Sequence, residues 1–120
     1  VAELYNGRST DDPRVFDLGH DHHGAYVQWD PDRKLNPQYA GMPGVLRYGM
    51  TIYHPSKDAA RPGEPCAGFV TFSSTTQRKI EPDRPNVWRV EKWDPLTISP
   101  SVLCSCGDHG FVREGRWIPA

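Results

Sequence analysis

The chain lacks the features that would place it in a membrane, a disulfide scaffold or a helical fold. No run of about eighteen apolar residues occurs, so no stretch is long enough for a membrane-crossing helix. No apolar leader-type segment stands at its first residues. Among 120 residues there are three cysteines, an odd number that does not close into a set of disulfides. Twelve prolines leave little room for long helices and favour short strands joined by turns. A formal net charge of −1 removes any overall electrostatic case for nucleic acid or a membrane surface. There is no internal repeat and no low-complexity tract. These absences predict a soluble, cytoplasmic protein of a reducing compartment, in a single domain.

What the chain does have is concentrated in its tail. Cys104-Ser105-Cys106-Gly107-Asp108-His109 places two thiols and an imidazole within six residues, in the order Cys-x-Cys-x-x-His. These are the ligand types that Zn²⁺ prefers, and a closed structural site needs four of them. Gly107 and Gly110 can supply the positive φ that lets a short loop wrap an ion. The flanking residues 101–104 and 110–113 read as two short strands, so the motif falls at the tip of a hairpin. The tail supplies three ligands, and the rest of the chain must give the fourth. Cys66 is one candidate, at the mouth of a strand just after Pro65; with it, every cysteine in the chain is used once. His54, at the end of another strand, competes for the same position.

Alternation and β-forming residues mark strands at 25–29, 45–54, 66–73, 86–93 and 96–99. Gly49, inside the second of these, marks a bend, a bulge or a close backbone approach. Residues 35–40 form at most one helical turn, and 55–65 and 77–85 read as polar, proline-rich connections. The expected core is Ile52, Phe69, Val70, Phe72, Trp88, Val90, Trp93 and Ile98, with Arg89 and Glu91 in solvent. The fold class is therefore mostly β: a small single domain of about six to eight short antiparallel strands stapled by one zinc site, with minimal helix.

Charge divides the chain unevenly. Residues 1–32 carry seven acidic and two basic side chains, and residues 33–120 carry eight acidic and twelve basic. Residues 1–23 read as an acidic, histidine-containing arm and residues 24–120 as the zinc-stabilised β domain. His20, His22 and His23 lie close enough in sequence to bind a second metal, but a solvated polar turn is the plainer reading. Adjacent His22 and His23 would point to opposite sides of a strand.

The run 88–111, and above all Ile98-Ser99-Pro100-Ser101 followed by Cys106-Gly107-Asp108-His109, resembles a family of small phage and actinobacterial proteins. That family is known as a domain of unknown function, and its members are sometimes labelled ammonia monooxygenase. The resemblance reaches back through Leu35-Asn36-Pro37-Gln38-Tyr39. More distant relatives carry a Cys-Pro-Cys-Gly-Cys cluster where this chain keeps only Pro65-Cys66-Ala67-Gly68. The resemblance implies Cys66 as the fourth ligand, a metal-binding fold and a viral or prophage origin. It carries no reaction, and the oxygenase label finds neither membrane spans nor a copper or iron ligand set here.

Three functions follow as expectations. The first is a non-enzymatic accessory or interaction protein, a virion component or host modulator, holding structural Zn²⁺ on Cys66, Cys104, Cys106 and His109. Its partner would be a viral or host protein. The second is a zinc hydrolase or deaminase, with Asp108 and Glu114 as the nearest carboxylates; no deaminase, His-Glu-x-x-His or nucleophile-elbow signature supports it. The third is a single-stranded nucleic-acid binder, using Arg78, Lys79, Arg84, Arg89 and Lys92 beside Trp88 and Trp93. Glu81, Asp83 and Glu91 interleave with those bases, a pattern of a solvated face.

Overall fold

Alternating apolar residues need a second surface to cover them, and the chain provides it by folding its tail onto a curled sheet. The computed structural model describes residues 3–41, 45–72 and 87–120. Among these the regular elements are strands and two short 3-10 turns, Tyr5–Gly7 and Pro37–Tyr39. The expected mostly β class is found. No helix among the described residues is long and apolar enough to cross a membrane.

The larger sheet has six strands in sequence order: β1 (Phe16–Gly19), β2 (His22–Trp29), β3 (Leu46–Pro55), β4 (Pro65–Phe72), β5 (Val87–Trp93) and β6 (Leu96–Ser99). The smaller has three: β7 (Val102–Leu103), β8 (His109–Arg113) and β9 (Arg116–Pro119). Not every pair is antiparallel, as the sequence led us to expect; β4 and β5 run parallel through Thr71↔Val87 and Phe72↔Trp88. A parallel pair needs a crossover of about a dozen residues or more, and positions 73–86 supply that length. The connection read at 77–85 lies outside the described residues, as do Met42, Pro43 and Gly44.

The arm-and-body division at residue 23 cuts through an element. β1 pairs with β2 through Phe16↔Gly24 and Asp17↔His23, and Leu18 is buried at 1% exposure in the core. Acidic composition hid a short strand with two apolar anchors, Leu18 in the core and Phe16 packed against it. The boundary at 23/24 therefore does not separate an arm from the sheet.

Inward positions follow the strand period of two. On β3 and β4 the facing pairs Met50↔Val70, Ile52↔Gly68 and His54↔Cys66 run along the inner face. Leu18, Phe72, Leu96, Ile98, Val102, Val112 and Trp117 complete the core, with Trp88 and Val90 packed at its margin. Two expected core residues are corrected: Phe69 is 48% and Trp93 41% exposed. Phe69 alternates outward from Val70 and Phe72 and lies over Gly49, where an added Cβ would stand 2.5 Å from its ring. That contact explains the glycine. Trp93 makes edge-to-face contacts with Tyr26 (5.9 Å) and Phe72 (5.4 Å) and lies under the Arg47 guanidinium, 5.4 Å from its ring centre.

Candidate metal centre

The inner face of β3 and β4 ends in two metal-ligating side chains. Because His54 pairs directly with Cys66, their side chains leave the sheet on the same side. Gly68, next along that face, keeps the space above it open; a Cβ there would lie 3.7 Å from Cys104 Sγ. Into that space comes the loop between β7 and β8. The Cys104 N–H donates to the Asp108 carbonyl (2.8 Å) and the Gly107 N–H to the Cys104 carbonyl (2.9 Å). Gly107 turns at φ 99°, a conformation glycine adopts at little cost.

His54, Cys66, Cys104 and Cys106 thereby offer ligand atoms that all lie within 4.8 Å of one another. The three cysteines meet as the sequence led us to expect. His109 does not join them. It pairs with Leu103 on the outward side of the hairpin, and its Nε2 meets the Ser101 hydroxyl at 3.0 Å. The fourth position of the group is taken by His54, the competing candidate.

The chemistry of this group fits a metal. His54 is 4% exposed. Its Nδ1 faces two acceptors, the Pro55 carbonyl at 3.0 Å and Asp108 Oδ2 at 3.5 Å. The proton therefore sits on Nδ1 and the lone pair on Nε2. That Nε2 is buried with no hydrogen-bond partner among the described residues, a costly state unless something accepts its lone pair. Cys66 Sγ and Cys104 Sγ are 3.8 Å apart, with no disulfide between them. Two thiolates at about 2.3 Å from a tetrahedral ion would be separated by about 3.8 Å.

The thiols are tuned differently. Burial, then the neighbouring Cys104 and Cys106, pushes the Cys66 thiol up to about 12. At Cys106 burial also pushes upward, but the backbone N–H groups of Lys57 and Asp108 and the adjacent thiols outweigh it, and its value falls below the ordinary thiol range. Cys106 is thus the easier of the two to deprotonate and Cys66 the harder.

Behind His54 stands a second buried group that sequence reasoning missed. Asp108 is 1% exposed. Its Oδ2 meets His22 Nε2 at 2.5 Å, and its Oδ1 meets Lys57 Nζ at 3.1 Å. Burial would raise the Asp108 carboxyl, but hydrogen bonds from His22 and Lys57 and the adjacent imidazoles outweigh it and hold it below its usual range. His22 lies flat on Trp117 (4.2 Å, 10°) and its Nδ1 donates to the His20 carbonyl (2.6 Å). The arm histidines therefore do not act together: His22 turns inward, and His23 turns toward Asp17 (3.9 Å). The signal for His22 was its own alternation with His23, which places one of the two inside.

A cavity of about 200 Å³ adjoins the centre, lined by Glu3, Asp21, His23, His54 and Cys66 among others. The other carboxylate considered at the sequence level, Glu114, is taken up by Lys92 (2.5 Å). Of the expected nucleic-acid contacts, Arg78, Lys79 and Arg84 lie outside the described residues. Arg89 pairs with Glu91 at 3.5 Å, so the described bases are answered by acids. Compared with family models, curated proteins and solved structures, the chain matches none.

Proposed function

We propose that the chain holds one structural Zn²⁺ on His54, Cys66, Cys104 and Cys106 and serves as a non-enzymatic accessory or interaction protein. The single observation that carries this is the buried Nε2 of His54, without a hydrogen-bond partner among the described residues, beside three clustered thiols. Three thiolates and an imidazole suit zinc better than harder cations, and four protein ligands leave no open position for a substrate. The resemblance of residues 88–111 to the phage family supports a viral origin and a partner in a virion or a host cell. Metal analysis of protein purified without added zinc tests the site: about one equivalent of zinc is expected, and well under one rejects it. Co-purification from infected or lysogenic cells tests the role. Intact particles would indicate a virion component, a single host protein a modulator, and a nucleic acid would displace both.

The cavity beside His54 and Cys66 favours a second reading, a zinc hydrolase with Asp21 or Glu3 as base. It requires one of the four ligands to give way to water. X-ray absorption on the zinc-loaded protein separates the two, since three sulfurs and one nitrogen exclude a bound water.

A further inference from the structure

We propose that Asp108 is the positioning residue of this metal centre, and that His22 and Lys57 hold its carboxylate against His54. The proposal rests on the four-ligand reading above. A ligating histidine needs its other ring nitrogen fixed, because that bond sets the tautomer, the ring plane and the basicity of the ligand. Here the Pro55 carbonyl accepts that hydrogen bond at 3.0 Å, and the Asp108 carboxylate stands as the ionic neighbour of the same nitrogen, Oδ2 at 3.5 Å. Asp108 also touches the centre through its main chain: its carbonyl accepts from the Cys104 N–H, and its N–H points at Cys106 Sγ. One residue thus braces three of the four ligands.

His22, His54 and Asp108 are close enough together to be considered as ligands of a second ion. The spacing argues otherwise. Nitrogen and oxygen bound to one ion at about 2.0–2.2 Å in tetrahedral geometry lie more than 3 Å apart, whereas His22 Nε2 and Asp108 Oδ2 are 2.5 Å apart. That is a charge-assisted hydrogen bond. Both ring nitrogens of His22 face oxygen acceptors, so the ring donates from each. The electrostatics agree. A divalent ion with three thiolates carries net negative charge, and a buried carboxylate beside it is repelled unless cations answer it. Lys57 Nζ and the twice-donating His22 are placed to do so. Because His22 comes from β2, affinity for the ion becomes coupled to the seating of the β1–β2 hairpin, and the coupling runs both ways.

The test is zinc affinity by chelator competition, with Co²⁺ spectra to report the ligands, on the full chain and its Asp108→Asn and His22→Phe variants. Asp108→Asn should bind roughly 10- to 100-fold more weakly while keeping the wild-type tetrahedral thiolate spectrum. His22→Phe, which keeps a ring on Trp117, should weaken binding several-fold and shift the His54 Nδ1–H resonance of the zinc form. Ile98→Ala, a core change at a residue that is neither a ligand nor one of the groups around Asp108, should leave affinity within about twofold, separating positioning from general loss of stability. Wild-type affinity in either His22→Phe or a folded Asp108→Asn overturns the proposal. So does an Asp108→Asn spectrum with altered ligands, which would make Asp108 a ligand. Should Asp108→Asn fail to fold, His22→Phe decides alone. A wild-type chain that binds neither zinc nor cobalt would instead sink the four-ligand reading itself.

Discussion

Replacing His54 by alanine, beside a matched His109→Ala, separates the two candidates for the nitrogen ligand. The ion would tie the β3–β4 ladder to the tail loop, joining Cys66 to Cys104 across 38 residues. Closing a loop of that length removes unfolded-chain entropy worth about 4 kcal/mol at 25 °C. For a domain of 120 residues the melting entropy is about 0.25 kcal/mol/K, so full loss of the tie lowers the melting temperature by roughly 15 °C. His54→Ala should approach that loss and hold well under one equivalent of zinc after dialysis against a chelator. Chelator treatment of the wild type should give a similar drop without the cavity left by the ring. His109 is exposed and gives up one hydrogen bond to Ser101, so His109→Ala should cost about 0.5 kcal/mol or less, roughly 2 °C. Calorimetry paired with metal analysis reads both. If His109→Ala loses the zinc while His54→Ala keeps it, the geometry argued here is wrong.

Two further outcomes follow. Because the metal-free Cys66 thiol is raised to about 12, zinc binding at neutral pH must displace its proton and affinity must climb with pH; a weakly buffered indicator solution showing no acidification on zinc addition would contradict this. In the metal-free chain the same shift works the other way. The folded state keeps a proton that the unfolded chain loses near pH ~8.5, so stability present below that value should fall as pH rises toward 12; urea melts at pH 8 and 10 of a Cys106→Ser variant, which removes the opposing shift of that thiol, would refute it if they coincide. At Gly110 an added Cβ would stand 2.5 Å from the Trp117 ring and 2.8 Å from the Ile118 carbonyl. Gly110→Ala should therefore cost ~1–3 kcal/mol, and a melt unchanged within about 2 °C would show that the hairpin has slack there.

The mostly β character was legible because apolar alternation is a local signal: β3, β4, β5 and β6 all fall where it was read, within a residue or two at their ends. β9 escaped because Arg116-Trp117-Ile118-Pro119 is four residues closing on a proline. Its signal was the two-residue turn before it, Glu114 and Gly115, whose φ values of 51° and 74° are both positive, as a tight hairpin requires. The strand missed there brings in Trp117, 2% exposed and the floor on which His22 lies. The parallel β4–β5 pair could not be read at all, since strand direction depends on a partner far along the chain.

The metal centre divides along the same line. Thiols announce themselves by chemistry, so Cys66, Cys104 and Cys106 stood out wherever they fell; the histidine was chosen by nearness in sequence. Yet the hairpin's pairing turns that residue away, since His109 lies opposite the exposed Leu103. From Val102 to Gly110 burial alternates residue by residue, with Val102, Cys104, Asp108 and Gly110 turned in and Leu103, Ser105, Gly107 and His109 turned out. Cys106 keeps the inward phase with partial exposure. The pairing with exposed Leu103 holds His109 outside, while the turn between them carries Asp108 inside. What it could not supply is the replacement, because only the pairing of β3 with β4 carries His54 to the side of Cys66.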